Sequence, residues 1–292
     1  SYLRGDLPIK TVVNTIEIPM GEAQENEYTL VRGNEIELSR KRRKSDDDEN
    51  LSNLRSRSRQ ICNIYLPDKD AIPEEYNEDM DSDMEMEYES DDEDKNSKTN
   101  KIKVKENLVL QFINKFSEDL PEDISQQKIK ILGSINNYSC KFAYLIDKLL
   151  KSTNKSYSDT TTQNHFPSGK VLIYSDFREI LSGGVSFIGK LLQISELGFI
   201  NLEDILLSTI DTLFETPEEK EQQKNGYFEQ SLQNKIIQHY IKIIEAQAIY
   251  KNKVFYMWKA SDSKSTKLNY IAKFIYNSTE NLNGDLLRIM FI

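Results

Sequence analysis

From residue 139 onward the apolar positions fall into two kinds of spacing. In SCKFAYLIDKLLK (139–151), Phe142, Leu145, Ile146 and Leu149 recur at i, i+3, i+4 and i+7, the pattern of an amphipathic helix, with Ser139 placed to cap it. Val171–Tyr174, Val254–Trp258 and Leu286–Ile292 are short, nearly unbroken apolar runs. Such runs predict strands buried on both faces, as in a parallel sheet. Between them, 184–197 and 264–277 return to helical spacing, the latter with Leu268, Ile271, Ala272 and Ile275 on one face. Strand, helix, strand, helix, strand with right-handed crossovers is an α/β unit. Residues 200–250 are helical in pattern, rich in Gln, Lys and Glu, and read as an insertion.

Upstream the pattern is looser. Residues 9–19 (IKTVVNTIEIP) alternate, with Val12, Ile16 and Ile18 on one side, and predict an edge strand closed by Pro19. Residues 20–44 favour a helix ending in SRKRRK, and 53–66 a short helix carrying Arg55, Arg57 and Arg59. Helices are expected over 105–118, anchored by Leu108, Leu110, Phe112 and Phe116, and over 121–132 after Pro121. Residues 67–104 hold too little apolar surface to fold and read as a disordered acidic insertion.

Charge sharpens this division. The 292-residue chain has a formal net charge of −10, yet residues 74–94 alone hold 13 acidic residues and no basic one; removing them leaves +3. The remainder is mildly basic and compatible with a polyanion partner. The two cysteines, Cys62 and Cys140, form no CxxC, which fits a reducing, intracellular setting. His165 and His239 are isolated, and no His, Cys and Asp group has metal-ligand spacing. No run approaches the ~18 apolar residues of a bilayer span, and no signal peptide is visible, so no membrane partner is expected.

The candidate chemistry lies where strands end. In GKVLIYSDFREILSGGVSF (169–187) the strand gives way to Ser175, Phe177 and Arg178, then to Gly183-Gly184 and a helix. Ligands of open parallel sheets sit beyond the carboxyl ends of strands. After the second strand, KASDSKSTK (259–267) brings Ser261, Ser263 and Lys264 ahead of a helix. Two readings stand side by side. Serines, glycines and cations there could hold phosphates of a nucleotide or a nucleic-acid backbone. Equally, the serines could cap helices and the glycines simply make a turn. SRKRRK (39–44) reads either as a nuclear-localisation or nucleic-acid patch or as a solvated helix end, and RSRSR (55–59) either as the lining of a phosphate path or as a structural segment.

Ser139-Cys140-Lys141-Phe142 opening a helix, the strand Lys170–Phe177, the following Gly183-Gly184-Val185, and the strand, small-residue turn and helix ending Phe274-Ile275-Tyr276-Asn277 occur in a meaningful order. Together they resemble the second RecA-like lobe of superfamily 2 helicases, nearest to the helicase-like ATPases of large nucleocytoplasmic DNA viruses, related to poxvirus nucleoside triphosphatase I and chromatin remodellers. SYLRGDLP, IEIPM and SRQICNIYLPD resemble the segment that crosses between lobes. The resemblance implies an α/β fold with an incomplete RecA-like parallel sheet, flanking helices and helical insertions. It divides the chain into 1–66 (crossing segment and start of the lobe), 67–104 (acidic insertion), 105–137 (helical insertion) and 138–292 (the lobe, with an insertion at about 200–250). It implies that Ser175, Phe177 and Arg178 lie near a nucleic-acid strand or the interlobe cleft. It further implies that Ser261, Ser263 and Lys267 hold backbone phosphates, and that Arg55, Arg57 and Arg59 contact phosphate or the cleft.

The departures are as informative. The phosphate-binding GxGKT loop and DExH acids of the family's first lobe are absent, and no GKT or GKS occurs in the chain. The glycine-rich and QxxGRxxR motifs expected after the third strand are absent too, and Lys267 stands where an arginine is usual. The expectation is a piece of a motor truncated before those motifs and unable to hydrolyse ATP alone. ATP and Mg²⁺ would belong to the intact parent, the missing first motor lobe and nucleic acid would be its partners, and a virion or cytoplasmic factory its setting. The rival expectation is a non-enzymatic interaction module of a viral transcription or packaging complex that keeps the lobe's fold.

Overall fold

The computed structural model describes residues 15–42, 56–66, 106–152, 169–177, 180, 183–207, 214, 216–225, 228–258 and 263–292. Helix α1 spans Glu22–Arg42 and α2 spans Ser56–Ile61. Helix α3 is described over 106–114 and runs into a 3-10 turn at Lys115–Ser117. Then follow α4 (Ile124–Asn136), α5 (Cys140–Lys151), β1 (Val171–Ile173) and α6 (Val185–Leu192). Next come β2 (Ile200–Asn201), α7 (Leu202–Leu207), α8 (Pro217–Asn225) and α9 (Gln230–Ala246). Strand β3 (Val254–Met257), α10 (Ser263–Asn277) and β4 (Ile289–Phe291) complete the order.

The helix starts follow from local chemistry. The Ser139 hydroxyl accepts the Phe142 N–H at 3.1 Å, and the Asp123 carboxylate accepts the Ser125 and Gln126 N–H groups at the start of α4. Thr216 and Glu219 exchange two 3.1 Å hydrogen bonds around Pro217, a reciprocal capping box that opens α8.

The strands form one parallel sheet of order β1-β4-β3-β2. This is neither of the two common doubly wound orders. The chain leaves β1 for the far edge and then steps back strand by strand. Side chains alternate across the sheet accordingly. Phe255, Ile289 and Phe291 pack with α5 and α6 on one face, while Val254, Tyr256 and Met290 pack with α7, α9 and α10 on the other. Gly189 of α6 lies so close to β3 that a Cβ there would stand 2.1 Å from the Met257 sulfur.

Several expectations need correction. Residues 15–20, within the strand expected over 9–19, are irregular; residues 9–14 lie outside the described residues, as does the acidic segment 67–104. Val171–Tyr174 is not buried on both faces. Strand β1 occupies a sheet edge, with Leu172 58% and Tyr174 70% exposed. Residues 200–250 contain more than inserted helix: Ile200 and Asn201 pair with β3, and Leu232, Ile236, Tyr240 and Ile244 of α9 are core residues. The three apolar runs do supply three adjacent parallel strands, with β2 added beside β3.

The centre of the sheet is pinned from below by two buried polar side chains. Asn281 donates to the carbonyls of Leu287 (2.8 Å) and Tyr276 (3.3 Å) and accepts from the N–H groups of Leu286 (2.9 Å) and Leu287 (3.0 Å). Arg288 is buried without a carboxylate partner among the described residues. It donates to the carbonyls of Leu149, Asn252 and Gly169 and to the Ser152 hydroxyl. Its guanidinium therefore closes the carboxyl end of α5, where the helix dipole favours a cation, although burial lowers its pKa. Asn281→Ala should lower stability by about 2–3 kcal/mol, because buried backbone groups are left without partners. Exposed Asn283→Ala should cost under about 0.5 kcal/mol. Equal shifts in the urea midpoint would contradict this role for Asn281.

Candidate nucleic-acid interface

Topology singles out a candidate site before any side chain does. The connection leaving β1 runs to α6 on one face, and the connection leaving β3 runs to α10 on the other. The two diverge on either side of the carboxyl end of β4, and this divergence is where ligands of parallel sheets bind. The Ser175 N–H donates to the Ile292 carbonyl at 3.4 Å and the Trp258 N–H to the Phe291 carbonyl at 2.9 Å, so residues leaving β1 and β3 both border β4.

A second segment is fastened to this end. After α2, Ile64 enters the core and the Tyr65 N–H donates to the Tyr138 carbonyl at 2.8 Å. The Ser139 hydroxyl donates to the Asn63 carbonyl, and the Lys141 ammonium donates to Asn63 Oδ1 at 2.8 Å. Helix α1 braces α2 from outside: Gln24 donates to the Ile61 carbonyl at 2.6 Å, and Glu35 accepts the Ser58 N–H at 3.0 Å. Burial pushes the neighbouring Cys62 thiol up in pKa, with Lys141 pulling it the other way. Gly183, at φ +61°, lies against Ile64, and a Cβ there would stand 2.4 Å from Ile64 Cγ2. The glycine pair's close approach is thus to the α2 segment, and Gly184 directly precedes α6.

This anchoring carries Arg59 to the end of β1. Arg59 Nη2 donates to Asp176 Oδ2 at 2.6 Å, and its guanidinium carbon lies 5.4 Å from the centre of the Phe177 ring. The Tyr174 hydroxyl donates to the other oxygen of Asp176 at 3.0 Å. Ser175 Oγ accepts the Phe177 N–H at 3.2 Å, so that hydroxyl shapes the bend after β1. The Phe177 carbonyl accepts the Val185 N–H, which draws the start of α6 to the same place.

Of the sequence-derived candidates, Ser175, Phe177 and Arg59 meet here. Arg57 is exposed on α2. Arg55, Arg178 and Ser261 lie outside the described residues; Ser263 and Lys267 belong to α10, with side chains outside the described set. Residue type and spacing assign no role to Tyr174, Asp176 or Trp258. An acid within three residues of a strand's end is the one available signal for Asp176, and its partner lies 117 residues away. Among the described residues no group of three His, Cys, Asp or Glu side chains could hold a metal ion, and no helix is long and apolar enough to cross a membrane. Comparison with family models, curated proteins and solved structures finds no match to this chain.

The Arg59–Asp176 pair is 57% exposed on each side, so its net contribution is small. Asp176→Ala should change stability by less than about 1 kcal/mol. Gly183→Ala should cost more, since it adds both a steric collision and an unfavourable positive φ. Thermal melts that reverse this order would show that the ion pair, and not the packing of Ile64, anchors the α2 segment.

Proposed function

We propose that this chain is part of the second motor lobe of a superfamily 2 helicase-like ATPase, gripping a nucleic-acid strand at the carboxyl ends of its parallel strands. The supporting observation is that the arginine segment of α2 meets the end of β1, through Arg59 on Asp176 and Phe177. In a motor lobe that junction lies between the nucleic-acid track and the cleft shared with a first lobe. A parallel sheet whose connections part above β4 supports the same location. Contacts of this kind position a strand through its backbone without reading its sequence.

The sequence lacks GKT and GKS, the phosphate-binding motif that the family carries in its first lobe. On this reading a first lobe holds the nucleotide, and the present lobe forms the opposing wall. A second reading, an interaction module within a transcription or packaging complex, draws on the exposed Leu172 of the edge strand and Tyr174 just past it.

The motor-lobe reading predicts that the 292-residue chain binds single-stranded oligonucleotides with an affinity that falls as salt rises. Arg178→Ala combined with Lys267→Ala should weaken binding and flatten the log–log salt dependence by about 1.4, roughly 0.7 for each phosphate no longer neutralised. Fluorescence anisotropy across a salt series reads both quantities. Binding and slope unchanged in the double variant would remove these two residues from the interface, and no binding at all would favour the interaction module.

A further inference from the structure

We propose that Tyr174 stacks on a base of the bound single strand, and that Asp176 holds its ring in position to do so; the inference rests on the nucleic-acid reading above. Tyr174 is the first residue past β1, beside the divergence of the connections above β4. Its side chain is 70% exposed, so the face of the ring is open to a partner. Yet it is not loose. Its hydroxyl donates to Asp176 Oδ1 at 3.0 Å, while Asp176 Oδ2 takes Arg59 at 2.6 Å, and Arg59 in turn lies over Phe177. One carboxylate therefore fixes an exposed ring and a guanidinium that come from distant parts of the chain.

Charge decides what this surface offers. Arg59 and Asp176 neutralise each other at contact distance, so the cluster has little net attraction for a phosphate. What it presents is the face of Tyr174, with Leu172 two residues earlier, 58% exposed on the same side of the sheet. An uncharged aromatic face with an apolar border suits the flat face of a nucleobase. Every base has such a face, so the contact tolerates any sequence. The hydrogen bond to Asp176 restricts the ring before binding, which lowers the ordering cost of the stacked state.

The test compares two oligomers of equal length and phosphate count, oligothymidylate and its abasic counterpart, by fluorescence anisotropy with the full 292-residue chain. The wild-type chain should bind oligothymidylate more tightly by on the order of tenfold. Tyr174→Ala should bring that ratio close to one while leaving affinity for the abasic oligomer unchanged; Tyr174→Phe, which keeps the ring but loses the hydrogen bond to Asp176, should give an intermediate ratio, and a wild-type ratio in Tyr174→Phe would remove Asp176 from the proposal. Replacement of so exposed a side chain leaves the core intact. A ratio unmoved by Tyr174→Ala would overturn the inference. Failure of the wild-type chain to bind either oligomer would overturn both the inference and the function beneath it, so the two failures are distinguishable.

Discussion

Strand β4 is the constraint on which the rest depends. It pairs with β1 on one side and β3 on the other, and Ile289, Met290 and Phe291 are all buried. A strand surrounded in this way has no water to satisfy its backbone, so both ladders must form together. Asn281 fixes the turn that feeds it, and Arg288 ties its start to the end of α5 and to the residue before Lys170. Because the side chains of β4 alternate between two helical layers, its register also decides which helices lie on which face. The position of the candidate site follows, since the connections from its two neighbours part above its carboxyl end.

At that end the protein uses packing and charge for different purposes. Ile64 against Gly183, with Asn63 between Ser139 and Lys141, holds the α2 segment in place. The exposed Arg59–Asp176 pair then adds orientation at small energetic consequence. This division leaves side chains at the tip exchangeable at little cost while their support is packed. The Ser139-Cys140-Lys141-Phe142 stretch, distinctive as a motif, performs a structural task here: it caps α5 and clamps Asn63.

Much of the architecture is legible in the chain. Helix α5, its Ser139 cap and the buried face of α10 follow from spacing alone, because a helix records its environment in a local repeat. Strands record less. Val-Leu-Ile-Tyr looks the same whether β1 is central or at an edge, since its neighbours are chosen by distant residues, and the exposure of Leu172 and Tyr174 is hidden for that reason. Two residues of β2 are too few to show an alternation, so the segment around them looks purely helical. The alternation of Ile16 and Ile18 meets no partner among the described residues, and a period of two without pairing does not make a strand. Ser175, Phe177 and Arg59 stand out as candidates by residue type. Their union through Asp176 does not, since it arises only when residues 117 positions apart are brought together.

The strand order also has a temporal side. Gly169, just before β1, meets Arg288, which lies 119 residues further along the chain. At synthesis rates of about 5–20 residues per second, the edge strand emerges from the ribosome on the order of ten seconds before the strand that will shelter one of its sides. Throughout that interval Val171 and Ile173 have no sheet neighbour on that side. The topology thus leaves β1 of the nascent polypeptide unpaired for an interval that is set by connectivity and would persist however stable the finished sheet became.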